Sequence, residues 1–254
     1  MARQLQVCNL EDWYAGGEKR IQFIQKIGDA LKDIGFFALT GHGIDVKSIE
    51  SAYKSAHDFF SLDQEVKDQY ERPKMFRQRG YTPYGVEHAK DNPEPDLKEF
   101  WQTGRTLHPG HSQIDTFPKN FWPTKHVEMF EDHIDGLFQG LESISGELLK
   151  AAALYLQKEE SWLKEMTIDG NTILRVIHYP PLSPSTPEGA VRSSQHEDIN
   201  LITLLVGATA DGLQVQDHDG SWIEVEGNHE HIIVDSGDML QNLTNGLFKS
   251  TTHR

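Results

Sequence analysis

The chain holds a single cysteine, Cys8, in 254 residues. One thiol excludes an internal disulfide and a cysteine-rich zinc site, and it fits a reducing compartment. Positive charge is also scarce: 24 Lys and Arg stand against 39 Asp and Glu, for a formal net charge of −15. Binding DNA or RNA needs concentrated positive charge to displace counterions, so no nucleic-acid partner is expected. Long apolar runs are missing as well. The longest, such as Ala151 to Leu156, fall far short of the ~20 residues of a membrane span, and mean hydropathy is −0.55. The first twenty residues carry no apolar signal core, so no membrane and no export are expected, and a cytoplasmic location follows. There is no internal repeat and no low-complexity tract. What remains is 37% hydrophobic, and a chain of this length can bury roughly 70–75% of its extended surface without staples.

Apolar spacing organises the chain into a helical first part and a β-rich second part. Ile21, Ile24, Ile27, Leu31 and Ile34 recur at three- and four-residue steps, which predicts an amphipathic helix over 18–34. Gly35 ends it, and Phe36 to Thr40 reads as a buried strand leading into Gly41-His42-Gly43. Val46 to Phe60 and Asp63 to Tyr70 read as helices, with short strands around Tyr81 and Glu99-Phe100-Trp101. From Val127 to Tyr155 one apolar stripe continues over some eight turns, and its polar faces lack the paired charges of a coiled coil. A helix propped along a sheet is expected there, followed by a short helix that Ser161 can cap. After Asn171 come strand-like runs at 173–179, 199–206, 213–216, 222–225 and 231–235, with Asp211-Gly212 and Asp219-Gly220 as hairpin turn signals. Such a series predicts an antiparallel sandwich or barrel. The expected division is an amino-terminal helical and loop region, 1–123, and a long helix with a β core, 124–254, forming one integrated unit.

Gln195-His196-Glu197-Asp198 stands in the β part, and His253 lies far along the chain. On a strand His196 and Asp198 share a face while Glu197 points away. Two imidazoles and a carboxylate on one face of a metal leave the opposite face open. That set suits non-haem Fe(II), which must take both a substrate and dioxygen, although zinc accepts similar ligands.

The surrounding motifs resemble the isopenicillin N synthase-like branch of the 2-oxoglutarate and Fe(II)-dependent dioxygenases. The likeness runs in order from Gly35-Phe36-Phe37-Ala38-Leu39-Thr40-Gly41-His42-Gly43-Ile44, through Arg79-Gly80-Tyr81 and Asp96-Leu97-Lys98-Glu99. It continues with Leu174 to Pro181, His196 to Leu205, Asp211 to Val215, Gly237-Asp238, Asn245-Gly246 and Lys249 to Arg254. The resemblance implies a distorted double-stranded β-helix, or jelly roll, supported by the long helix. It implies His196, Asp198 and His253 as iron ligands and Tyr179 as the donor to the far carboxylate of 2-oxoglutarate. Ile177 stands where many plant members have asparagine. Arg175 shares a strand face with Ile177 and Tyr179, so it is a candidate for a carboxylate of co-substrate or substrate; a paired structural arginine is the alternative. The implied activity consumes 2-oxoglutarate and O2, with ascorbate as a supportive reductant, to hydroxylate, desaturate or cyclise a small organic molecule. Relatives of this kind that use iron and oxygen without 2-oxoglutarate, and a non-catalytic jelly-roll binding module, are the alternatives; a zinc hydrolase is a further one.

Phe100, Leu213 and Phe248 are candidate pocket walls and equally good core residues. His42 reads as a structural hydrogen-bonder, His229 and His231 as a solvated turn, and His88, His108 and His111 as loop residues. Cys8 reads as a packed thiol, and a monomer is expected. The family's 2-oxoglutarate site also uses an Arg-x-Ser pair on the strand after the distal histidine. This sequence stops at Arg254, one residue past His253, so a longer enzyme is expected.

Overall fold

The computed structural model describes residues 3–87, 95–182, 186, 189–207, 211–226 and 230–254. In chain order it begins with β1 (Gln6–Asn9), α1 (Leu10–Ala15), α2 (Gly17–Asp33), β2 (Phe36–Thr40), α3 (Val46–Phe60) and α4 (Gln64–Asp68). Strands β3 (Gly80–Thr82) and β4 (Glu99–Gly104) precede the long α5 (Phe130–Tyr155) and the short α6 (Trp162–Glu165). The remainder is β5 (Ile173–His178), β6 (Ile202–Val206), β7 (Leu213–Gln216), β8 (Trp222–Val225), β9 (Ile232–Ser236) and α7 (Asp238–Leu243). Among the described residues no helix is long and apolar enough to cross a membrane.

The chain divides into two compact units, and the division falls elsewhere than the sequence pattern predicts. Residues 1–43, 141–165 and 195–254 make one unit; 44–140 and 166–194 make the other. The reason is strand pairing across the whole chain length. In the first unit the sheet order is β1-β2-β9-β6, with β1 and β2 parallel and the other pairs antiparallel. The amino-terminal strands therefore belong with the carboxy-terminal ones. Phe36, Phe37, Ala38 and Leu39 of β2 are all buried, as a central strand covered on both faces requires. Residues of α2 and α5 surround a common small void with Phe37, Ile202 and Val234 of the sheet. This is the propped helix that the apolar stripe predicts. Cys8 is fully buried in β1, and burial pushes its thiol up to about 12.

Strands β7 and β8 form a separate antiparallel hairpin, closed by a turn in which Asp217 N–H donates to Ser221 O at 2.8 Å. Asp219-Gly220 thus makes the predicted turn. Asp211-Gly212 does not: it joins β6 of the first sheet to β7 of the hairpin. The last residues run antiparallel to β7, with Gln214 N–H donating to Arg254 O at 2.8 Å and Gln216 N–H to Thr252 O at 2.9 Å. Ile34, Phe36, Ala38, Val215, Ile223 and Ile233 form the apolar cluster beneath, against which Leu213 packs.

The second unit carries the sheet β3-β4-β5, antiparallel throughout. β5 therefore lies outside the strand set that the sequence groups with it. An aromatic core fills this unit: the Phe59 ring meets Tyr81 at 5.8 Å, Trp101 at 5.0 Å and Phe130 at 5.6 Å between centroids. Inside it Glu99 is 2% exposed, paired with Lys67 Nζ at 2.8 Å and His178 Nδ1 at 2.8 Å, and accepting from the Tyr81 hydroxyl.

Candidate metal centre

His196 and His253 meet through their backbones. His196 N–H donates to His253 O and His253 N–H to His196 O, each at 3.0 Å, and this isolated bridge brings the ring centroids to 4.4 Å. His253 also bridges Val215 of β7. The long sequence separation of the two histidines is thus closed by main-chain bonds.

Asp198 is positioned differently from the strand alternation predicted for it. Regular strand begins only at Ile202, and residues 197–201 form a loop. This loop turns its carbonyls to the start of α7, where Gly237, Asp238 and Met239 N–H groups donate to Leu201, Asp198 and Asn200 oxygens at 3.1, 2.7 and 3.1 Å. The first N–H groups of a helix have no partner within it, and here the loop supplies one for each. Gly237 permits the approach: a Cβ there would lie 2.5 and 2.6 Å from the Asn200 and Asp198 carbonyl oxygens. A helix terminus replaces the expected neighbouring strand because the loop's backbone must be satisfied somewhere.

The result is a cluster in which His196, Asp198 and His253 each offer one ligand atom, all within 4.8 Å of one another. Asp198 Oδ1 lies 3.6 Å from His196 Nε2 and 3.9 Å from His253 Nε2. The other carboxylate oxygen accepts from the Thr203 hydroxyl. His253 Nδ1 sits 3.2 Å from Thr251 O. A carbonyl can only accept, so Nδ1 carries the proton and the lone pair of Nε2 faces Asp198. Burial, then His196, push the His253 imidazole down, against Asp198. The ring is neutral at pH 7, the form a metal needs. Asp235 on β9 is 5% exposed, and burial followed by the Asp198 charge raises its carboxyl well above the ordinary range. The same burial disfavours a second negative charge beside Asp198. Two imidazoles and one carboxylate are a fitting donor set for Fe(II) with coordination positions to spare.

The other predicted residues divide between the units. Tyr179 follows β5 in the second unit; burial foremost raises its phenol, which makes a hydrogen bond with the Ser193 side chain. Arg175 lies on β5 with its donors engaged: Nη1 to Glu87 Oε1 at 3.0 Å, Nη2 to Gln102 Oε1 at 3.1 Å. Its guanidinium carbon stands 4.3 Å over the Phe100 ring, and Phe100 is 4% exposed. This geometry favours the paired structural arginine and makes Phe100 a core residue. In the first unit Phe248 is fully buried, 5.9 Å from the Tyr155 ring, and Leu213 packs on the apolar cluster. Phe100 and Phe248 are core residues, and Leu213 is half-buried against the apolar cluster. His42 hydrogen-bonds the Glu230 backbone as expected. His108 and His111 pack edge to face at 5.6 Å, and His111 reaches Asp169 at 3.7 Å. His88 and His229 lie outside the described residues.

Thr203 and Asn200 went unnoticed in the sequence. Their signal was two polar side chains in the otherwise apolar run 199–206.

Comparison with known proteins identifies the family. Residues 5–125 match the family model of the non-haem dioxygenase in morphine synthesis N-terminal region, and residues 170–254 match that of the 2OG-Fe(II) oxygenase superfamily. The chain is 31% identical over 242 residues to the 2-oxoglutarate-dependent dioxygenase citB of Monascus ruber, covering 91% of this chain and 73% of that protein. A 2OG-Fe(II) oxygenase family protein of Caulobacter crescentus shares 38% identity at a TM-score of 0.87, over 100% of this chain and 80% of that one. A full-length Neurospora crassa protein, solved in complex with alpha-KG and thymine, shares 26% identity at a TM-score of 0.85, over 98% of this chain and 78% of that one. The chain belongs to the 2OG-Fe(II) oxygenase superfamily, and it is a 2-oxoglutarate- and Fe(II)-dependent dioxygenase.

Proposed function

We propose that His196, Asp198 and His253 hold the iron and that the enzyme oxidises a small organic molecule at an unactivated C–H bond. The observation that carries this reading is the convergence of three ligand atoms within 4.8 Å, supplied by two imidazoles and one carboxylate. When bound, Fe(II) supplies the oxidative chemistry, coupling decarboxylation of 2-oxoglutarate to succinate and carbon dioxide with O2-dependent substrate oxidation. The chain's own part is geometric. Thr251 O holds the His253 tautomer, and the 196–253 backbone bridge sets the separation of the imidazoles. Tyr179 keeps its phenolic proton because burial disfavours the anion, so it is an O–H donor suited to the far carboxylate of 2-oxoglutarate. Arg175 is assigned to its fork with Glu87 and Gln102.

The ordered motifs support placement in the isopenicillin N synthase-like branch, and with it a distorted double-stranded β-helix around the metal. A monomer acting in the cytoplasm, on a small-molecule substrate, completes the reading. Anaerobic reconstitution with Fe(II) and 2-oxoglutarate, then oxygen and ascorbate, tests it through succinate formation across candidate substrates. Succinate should form with the native chain and fall to background in Asp198→Ala. Unchanged succinate in that variant removes the site assignment.

A further inference from the structure

Asp198 is held by more than its loop. The Thr203 hydroxyl donates to Asp198 Oδ2, and Asn200 Nδ2 donates to Thr203 Oγ1 at 2.8 Å. A hydroxyl has one proton. With the Asn200 amide occupying a lone pair of the Thr203 oxygen, that proton is committed to the carboxylate. Asn200 Nδ2 also stands 3.5 Å from the same Oδ2. Thr203 is itself fixed, because its residue pairs with Asp235 across β6 and β9. One oxygen of Asp198 is therefore engaged from behind, and the other, Oδ1, is left facing the two Nε2 atoms.

We infer that Thr203 and Asn200 are positioning residues that make Asp198 a one-oxygen ligand. A carboxylate with both oxygens free can bind a cation through both. The second oxygen would then compete for a coordination position that co-substrate and dioxygen require. The hydroxyl prevents this by engaging Oδ2, and the amide keeps the hydroxyl aimed. The inference rests on the reading of Asp198 as a metal ligand. Partners of this outer kind typically change metal affinity by about 10–100-fold when removed.

Anaerobic titration with Co(II), followed by its visible d–d absorption, reads both affinity and coordination without turnover. The native chain, Thr203→Val, Thr203→Ser, Asn200→Ala and Asp198→Ala are compared, with far-ultraviolet circular dichroism as the check on folding. Valine keeps the shape and the β-branch of threonine and removes the donor. Thr203→Val should lose about 10–100-fold in Co(II) affinity and alter the absorption envelope. Thr203→Ser should restore both towards native values, and Asn200→Ala should shift the spectrum in the same direction by less. Native affinity and spectrum in Thr203→Val, beside a lost site in Asp198→Ala, would overturn the inference and leave the metal reading intact. Native binding in Asp198→Ala would remove the metal reading itself. Should Thr203→Val fail to fold, Asn200→Ala decides, since a native spectrum there overturns the relay.

Discussion

Glu99 and Asp198, one in each unit, both have histidine beside them and have opposite fates. Glu99 lies in the aromatic core of the second unit, where an ammonium, a phenol and an imidazole surround it. Asp198 faces two imidazoles, and its other close partners are the neutral Thr203 and Asn200. At Glu99 the cation is part of the chain: Lys67 sits 2.8 Å away and is itself buried. At Asp198 the place opposite the carboxylate is lined by two imidazole nitrogens at 3.6 and 3.9 Å, with no ammonium beside them among the described residues. Their lone pairs cannot neutralise the carboxylate, and a metal ion can. A carboxylate with histidine is therefore structural when a fixed ammonium completes it and metal-ready when further lone pairs do.

The largest expected effect breaks the metal side of this comparison. Asp198→Ala and His253→Ala should each lower Fe(II) affinity by at least about 100-fold, more than loss of an outer partner does, and abolish succinate formation. Stability without metal should change little in Asp198→Ala, whereas His253→Ala also loses a ring packed 5.3 Å from Phe36 and should be less stable. An anaerobic Fe(II) titration with a parallel urea unfolding curve measures both. Undiminished Fe(II) binding would make Asp198 another structural carboxylate and erase the distinction.

Next in size is the structural side. Glu99→Ala leaves the Lys67 ammonium buried without its partner, which should cost about 3–5 kcal/mol. A Glu99→Leu, Lys67→Met pair removes both charges and should recover most of that loss, since a buried ion pair replaced by apolar groups is often neutral. Chemical denaturation of Glu99→Leu, Lys67→Met and the pair gives the coupling. Additive losses would show that Lys67 and Glu99 do not function as one unit.

How far each side was legible in the sequence follows from what fixes it. The amphipathic stripe over α5 and the buried run of β2 report burial directly, residue by residue, so periodicity finds them. His196, Asp198 and His253 carried a recognisable spacing and a family resemblance. β1, α1 and α7 gave no periodic signal, being four to six residues long. Their form depends on tertiary partners: β1 needs β2, and α7 needs the loop carbonyls of 198–201. Asp198 was expected on a strand for the same reason, because local pattern cannot foresee a helix terminus about 40 residues later satisfying its backbone. The Glu99 network was invisible too. Lys67, Tyr81, Glu99 and His178 come from four separate elements or their edges, and each alone reads as an ordinary polar residue.

The smallest effect sharpens the comparison through acid. Burial pushes the Glu99 carboxyl up, but hydrogen bonds from Lys67, Tyr81 and His178 outweigh it, and the net result lies below the ordinary value. Asp96 behaves alike: burial opposes, while Lys98 and Ser194 prevail and lower it. A carboxyl with a depressed folded value binds fewer protons folded than unfolded across the interval between the two values. Its contribution to stability is present above the unfolded value, about 4, and is lost as pH falls through the folded one. The second unit should therefore weaken below about pH 4, with no loss from these groups at pH above about 5. Glu99→Gln removes one of the two titrations and should flatten that acid limb while lowering stability at neutral pH. Urea midpoints taken from about pH 3 to neutrality measure the slope. An acid limb as steep in Glu99→Gln as in the native chain would mean that Glu99, despite its ammonium, phenol and imidazole, is not the carboxylate through which acid acts on this core.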